Sequence, residues 1–199
     1  PSKVIAWGNI AAHPEINRRA LDLFLTRQQS DSYFKGISLN GDAAWGLAWD
    51  PADGNSLITP KPGIKRQKTL ADWIIDGGYS ADEPEGPMGM RHFYDPTNKT
   101  SPWLTDTDWI AGFLRRTLGS QATNPEISAV DWANNKDEGF AKMDVFSPQE
   151  YSFPDAKEYF KQALADKSRD NPAYGNAWRA VGETMHLVAD MSLAPHVRN

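Results

Sequence analysis

The chain of 199 residues has no cysteine. That excludes thiolate metal sites, a disulfide framework and a cysteine nucleophile together, so any metal would have to be held by nitrogen and oxygen. No run approaches the roughly 18 apolar residues that cross a bilayer, and no transmembrane helix is expected. A charged n-region followed by an apolar h-region is also missing, so any export signal is expected to have been removed already. Basic residues are outnumbered, with a formal net charge of -5, a weak argument against nucleic acid as a constitutive partner. Histidine is scarce, at four residues. What the chain does have is 40% apolar content, 11% aromatic residues and eight Trp, which supports a globular protein of one domain over a disordered one.

The apolar residues Ile16, Ala20, Leu21, Leu23 and Phe24 recur at helical spacing from His13 to about Gln28, with Pro14 suited to a first turn. Positions 29–67 show no sustained period and are punctuated by Gly and Pro, which predicts a long connection holding at most a short ordered piece, and no stretch of the chain shows convincing strand alternation. A short helix from Leu70 to Ile75 is expected to stop at Gly77-Gly78, and 79–103 again reads as loop. Further helices are predicted over Leu104–Leu118, capped by Thr105 or Asp106, over Pro125–Asn134 and from Pro154 to about Asp166. Asn171-Pro172 opens the longest helix, Ala173–Met191, with Trp178, Val181, Met185, Val188 and Ala189 as its buried face. The expected fold class is all-α, a single multi-helix domain over 1–199 with long loops around a cleft.

The C-terminal stretch from Gly182 to Asn199 carries the clearest chemistry. His186 and Asp190 are four apart, so both lie on one helix face. Pro195 is expected to end the helix and turn the chain, bringing His196 back toward them. Taken singly, a histidine is more often a surface or satisfied core residue than a ligand, and an i,i+4 His–Asp pair is an ordinary helix contact. Together, two imidazoles and a carboxylate able to serve two ions, one through each oxygen, suit divalent transition metals.

His186-Leu-Val-Ala-Asp-Met-Ser-Leu-Ala-Pro-His-Val resembles the signature of the zinc-dependent phospholipase C and single-strand-specific nuclease superfamily. Three earlier segments match in order. Trp7-Gly8 with His13 resembles its mature N-terminus. Asp76-Gly-Gly-Tyr-Ser-Ala-Asp82 resembles the segment that ends in a metal-binding Asp. Arg91-His92-Phe-Tyr-Asp-Pro96 resembles a motif of the bacterial phospholipase branch. The resemblance implies an all-helical fold with up to three zinc ions at the bottom of a cleft. It implies one ion on Asp82, His92, His186 and Asp190. A second would share Asp190 with His13 and with the amine and carbonyl of Trp7. A third would sit on His196 and on a later His and Glu. Asp82 and Asp190 would be the catalytic carboxylates, with Asp76 or Glu83 as conceivable general bases.

Two departures accompany the resemblance. Six residues precede Trp7, so its amine is free only if they are removed. No histidine follows His196, so the chain is expected to be the N-terminal part of a longer polypeptide or to meet a partner chain. The activity implied is hydrolysis of a phospholipid to diacylglycerol and a phosphorylated head group by a secreted or periplasmic enzyme in contact with a membrane surface. A single-strand nuclease on the same scaffold and a non-catalytic, metal-stabilised module of a larger assembly are the alternatives.

Overall fold

The computed structural model describes residues 10–27, 43–50, 63–83, 88, 91–97, 128–134, 150–166 and 168–197. In chain order they form α1 (Ala12–Arg27), β1 (Trp45–Asp50), β2 (Ile64–Lys68), α2 (Leu70–Ser80), α3 (Ala129–Ala133), α4 (Phe153–Ala165), α5 (Pro172–Asp190) and α6 (Ala194–Val197). The protein is mainly helical, as expected, with one small sheet added. The helix expected over 104–118 lies outside the described residues.

α5 is the element on which the others pack, with α2, α4, β1, α1 and α3 all against it. It starts where Asn171 accepts the Ala173 N–H at 3.0 Å and Pro172 takes a first-turn position, a combination that satisfies one early donor and presets the backbone. Its buried face differs from the expected one. Val188 is 67% exposed, and Trp178, Val181, Met185 and Ala189 are only half-buried. Apart from Leu187, the buried positions are instead small or polar: Ala173, Gly175, Ala177, Arg179, Ala180, Gly182, Glu183, His186 and Asp190. An apolar period therefore misplaces this face, because the helix turns its small side inward to let another backbone approach and its polar side inward to build a site.

That backbone belongs to α2. The expected stop at Gly77-Gly78 does not occur, and α2 runs through both glycines to Ser80. Its start is fixed by Thr69, whose hydroxyl accepts from Asp72 N at 3.0 Å. Glycine weakens a helix interior by about 1 kcal/mol relative to alanine, but here close contact decides. A Cβ on Gly77 would lie 2.6 Å from Arg179 O and 2.7 Å from Gly182 Cα. The two helices cross where neither can carry a side chain.

The absence of convincing strand alternation does not mean the absence of strands. β1 and β2 pair antiparallel, with Trp49 opposite Lys65 and Asp50 opposite Ile64. The burial of β1 alternates, but with the usual polarity reversed. Gly46, Ala48 and Asp50 point inward while Leu47 and Trp49 are exposed, so no apolar alternation marks the strand. Gly46 has φ 71°, a conformation that glycine adopts at little cost. A Cβ there would also stand 2.3 Å from Gly175 N.

The remaining helices follow their caps. Ser152 and Asp155 make a capping box at the start of α4, and Ser128 opens α3 by accepting from Asp131 N at 3.1 Å. Two apolar clusters flank α5. Leu21, Leu70 and Ile74 gather Trp178 and Met185 on one side, and Met88, Ala129 and Trp132 gather Leu187 and Met191 on the other. α1 buries His13, Asn17 and Leu21, whereas Leu23 and Phe24 of its expected apolar face are 53% and 38% exposed.

Candidate metal centre

Five segments deliver six side chains to one place. α1 supplies His13 from its first turn. Asp82 follows the end of α2, where its N–H donates to Tyr79 O at 3.2 Å. His92 comes from 91–97, a segment anchored by Arg91 N donating to Met88 O at 2.7 Å. α5 contributes His186 and Asp190 from its last turns. His196 stands on α6. The turn before it is made by Met191–Leu193, with Ser192 N and Leu193 N each donating at 2.9 Å to Ala189 O and Asp190 O. Pro195 lies inside α6 and does not make the turn itself, since the reversal is complete before the chain reaches it. Tyr94 N donates to His196 O at 2.9 Å, which ties this turn to the His92 segment.

Asp190 is the hub. Its Oδ1 is 3.1 Å from His196 Nδ1 and 3.5 Å from His13 Nε2. Its Oδ2 is 3.0 Å from His92 Nδ1 and 3.2 Å from His186 Nε2. Asp82 reaches the second pair, with Oδ1 3.2 Å from His92 Nδ1 and Oδ2 3.7 Å from His186 Nε2. The rings of His13 and His186 stack at 3.6 Å. Asp190 and His186 have no solvent exposure, while the Asp82 side chain is 15% exposed. Asp82 thus marks the side from which solvent reaches the cluster.

These short distances do not satisfy the groups involved. At the cluster, both oxygens of Asp190, His186 Nε2 and His196 Nδ1 are buried without a hydrogen-bond partner. Charge and imidazole lie close but are not aligned as donors and acceptors. Buried polar atoms are normally satisfied, so a concentration of orphans at one point needs a cause. The tautomer of His186 sharpens it. His186 Nδ1 lies 2.7 Å from Gly78 O; a carbonyl only accepts, so Nδ1 carries the hydrogen. In the neutral ring Nε2 is then left with a lone pair facing the carboxylates of Asp190 and Asp82. Lone pair against carboxylate is repulsive, and a cation between them reverses the sign. A backbone carbonyl holding the far nitrogen of a ligating imidazole is the usual way to orient it.

The electrostatics agree. Burial pushes the His13 imidazolium down to about 4, helped by His186, so at neutral pH His13 offers a lone pair. For His92, burial opposes the charged form, but the carboxylates of Asp82 and Asp190 outweigh it and raise the value. Burial would also raise Asp190, yet the imidazoles around it hold it far below the usual carboxylate range. It stays ionised. The groups His13–His186–Asp190 and Asp82–His92–His186 could each hold a metal ion, sharing His186.

Six of the seven ligand positions expected from the sequence are therefore brought together: His13, Asp82, His92, His186, Asp190 and His196. Trp7 lies outside the described residues. Asp76 and Glu83 are engaged elsewhere, Asp76 with Lys68 and Glu83 accepting from the Tyr79 hydroxyl at 3.0 Å. Four residues take part that the sequence did not single out. Gly78 supplies the carbonyl that orients His186. Asn17 joins α1 to α2 and α5. Arg179 and Glu183 form a buried pair at 2.8 Å one turn before His186. The i,i+4 spacings from His13 to Asn17 and from Arg179 to Glu183 were the available signals.

The described residues include no helix long and apolar enough to cross a membrane. No family model matches the chain, and comparison with curated proteins and with solved structures gives no match.

Proposed function

We propose that the protein is a zinc-dependent phosphodiester hydrolase of the phospholipase C type. The observation that carries the metal is the unsatisfied His186 Nε2, locked toward two carboxylates by the Gly78 carbonyl. Zinc suits the donor set, which consists of imidazole and carboxylate without thiolate. Asp190 supports more than one ion, since each of its oxygens faces a different pair of imidazoles. Bound zinc would supply Lewis acidity toward phosphoryl oxygens and toward water.

The protein's own groups do the rest. Asp190 is buried and ionised, and holds the imidazoles of four separate segments at one point. His92 Nδ1, 3.2 Å from Asp82 Oδ1, holds the Asp82 carboxylate. As the solvent-facing carboxylate of the cluster, Asp82 would orient the attacking water and accept its proton as the water oxygen bonds to phosphorus, and return that proton to the diacylglycerol oxygen as its bond to phosphorus breaks, so that diacylglycerol leaves as the alcohol. The phospholipid reading draws on the Arg91-His-Phe-Tyr-Asp-Pro96 motif. Two of its residues do structural work here, with Arg91 over the Trp132 ring at 5.0 Å and Asp95 accepting from Thr97 N at 2.8 Å.

The test is to measure bound zinc in the purified protein and to assay phosphatidylcholine vesicles and single-stranded DNA side by side, with Asp190→Asn as the control. Two or more equivalents of zinc, with lipid turnover lost in Asp190→Asn, is the expected result. Turnover of DNA alone would move the protein to the nuclease alternative. Zinc without turnover of either substrate would overturn the enzymatic reading and leave a metal-stabilised module.

A further inference from the structure

Asn17 lies one turn after His13 on α1 and has no solvent exposure. Its amide donates to Ile74 O on α2 at 2.9 Å and to Gly182 O on α5 at 3.0 Å. Both carbonyls lie inside helices, where the N–H four residues on is their regular partner. The amide therefore adds a second donor to each and rescues no orphan. Its own Oδ1 is left buried without a partner. An apolar side chain of similar size would avoid that cost, so burial alone gives no reason for an amide at this point.

The reason is geometric. Asn17 sits where α1 touches Gly78, at which a Cβ would lie 2.8 Å from the His13 carbonyl and 2.9 Å from Asn17 Nδ2. Gly78 is the residue whose carbonyl orients His186, and Gly182 precedes His186 by one turn. The helices that carry His13 and His186, and the helix that orients His186, thus share one tie point. Directly beyond it the two imidazoles stack with 17° between their planes.

We propose that Asn17 is a positioning residue of the centre. By joining α1 to α2 and α5 it fixes His13 relative to His186 and Asp190. It thereby sets the affinity of the half of the site that His13 serves and leaves the Asp82–His92 half alone. The proposal rests on the metal-centre reading above, and its test separates the two.

Asn17→Leu keeps the volume and removes both donors. Leu21→Ala, one turn further along α1, thins the packing against Leu70 and Ile74 and controls for general loosening of the helix. Each protein is first examined free of metal by proton NMR, where stacking on His186 shifts the His13 ring resonance, and is then titrated with zinc. In Asn17→Leu the His13 resonance is expected to move toward its solvent position. One zinc equivalent should bind roughly 10–100-fold more weakly, the usual range for loss of an outer-shell partner, with the other unchanged. In Leu21→Ala the melting temperature should fall while the ring shift and both affinities stay. Wild-type shift and affinities in Asn17→Leu would overturn the proposal, as would equal weakening in Leu21→Ala. Failure of the wild-type protein to bind zinc would refute the metal centre, and the ring shift would still decide whether Asn17 places His13.

Discussion

Replacing Gly182 by alanine tests the central packing claim, because local and tertiary effects predict opposite signs. Within an isolated helix the change should stabilise by about 1 kcal/mol. In this structure the new Cβ would stand 2.2 Å from Ile74 O and 2.9 Å from Gly77 Cα. An ordinary carbon–oxygen contact is about 3.3 Å, so α2 and α5 must separate by about 1 Å. Overpacking of this kind costs about 1–3 kcal/mol. The separation also stretches the bonds from Asn17 to Ile74 and Gly182 and from His186 to Gly78, each worth about 1 kcal/mol. Adding these and subtracting the propensity gain leaves a net loss of roughly 3–5 kcal/mol. At about 2–4 °C per kcal/mol for a chain of this size, the melting temperature should drop by about 6–20 °C. Circular dichroism melts of the metal-free protein provide the assay. Val188→Ala, at a position 67% exposed on the same helix, should change little. A Gly182→Ala protein that melts at or above the wild-type temperature would refute the glycine crossing.

Two other outcomes follow from buried charges. His13 takes its proton near 6.5 when unfolded and near 4 when folded, so the unfolded state binds more protons between those values. The metal-free protein should therefore lose roughly 3 kcal/mol from this group as pH falls from 6.5 to 4, and His13→Gln should flatten that part of the stability–pH curve. His92, raised by its carboxylates, works in the opposite direction, giving stability at low pH that is lost as pH rises through its folded value. An unchanged acid-side slope in His13→Gln would rule out the assigned burial effect. For Arg179–Glu183, Glu183→Leu should cost about 3–5 kcal/mol by stranding a buried guanidinium that lies 3.7 Å from the centre of the Tyr151 ring. The double change Arg179→Met/Glu183→Leu should recover most of it in urea melts, and a double variant as unstable as the single one would contradict the mechanism.

Signals confined to one helix or one cap were legible in the chain. The boundaries of α1, α4 and α5 follow from Pro14, Pro154, Asn171-Pro172 and helical spacing, because caps and period act over a few residues. The ligand-type residues could be picked out for the same reason, since scarce histidines with a carboxylate at i,i+4 carry their chemistry in their side chains. Composition alone removed thiolate as a donor. What stayed hidden depended on contact across the fold. Gly77-Gly78 looks like a stop until α5 lies against it. β1 hides its alternation because its inward residues are Gly46, Ala48 and Asp50. The buried face of α5 is small and polar, and an apolar period cannot find it. Above all, the convergence of five segments on Asp190 and the tautomer of His186 exist only once α1, α2 and α5 are packed. Residue types are properties of the chain, whereas the distance between His13 and Asp190, 177 positions apart in sequence, is set by helix packing.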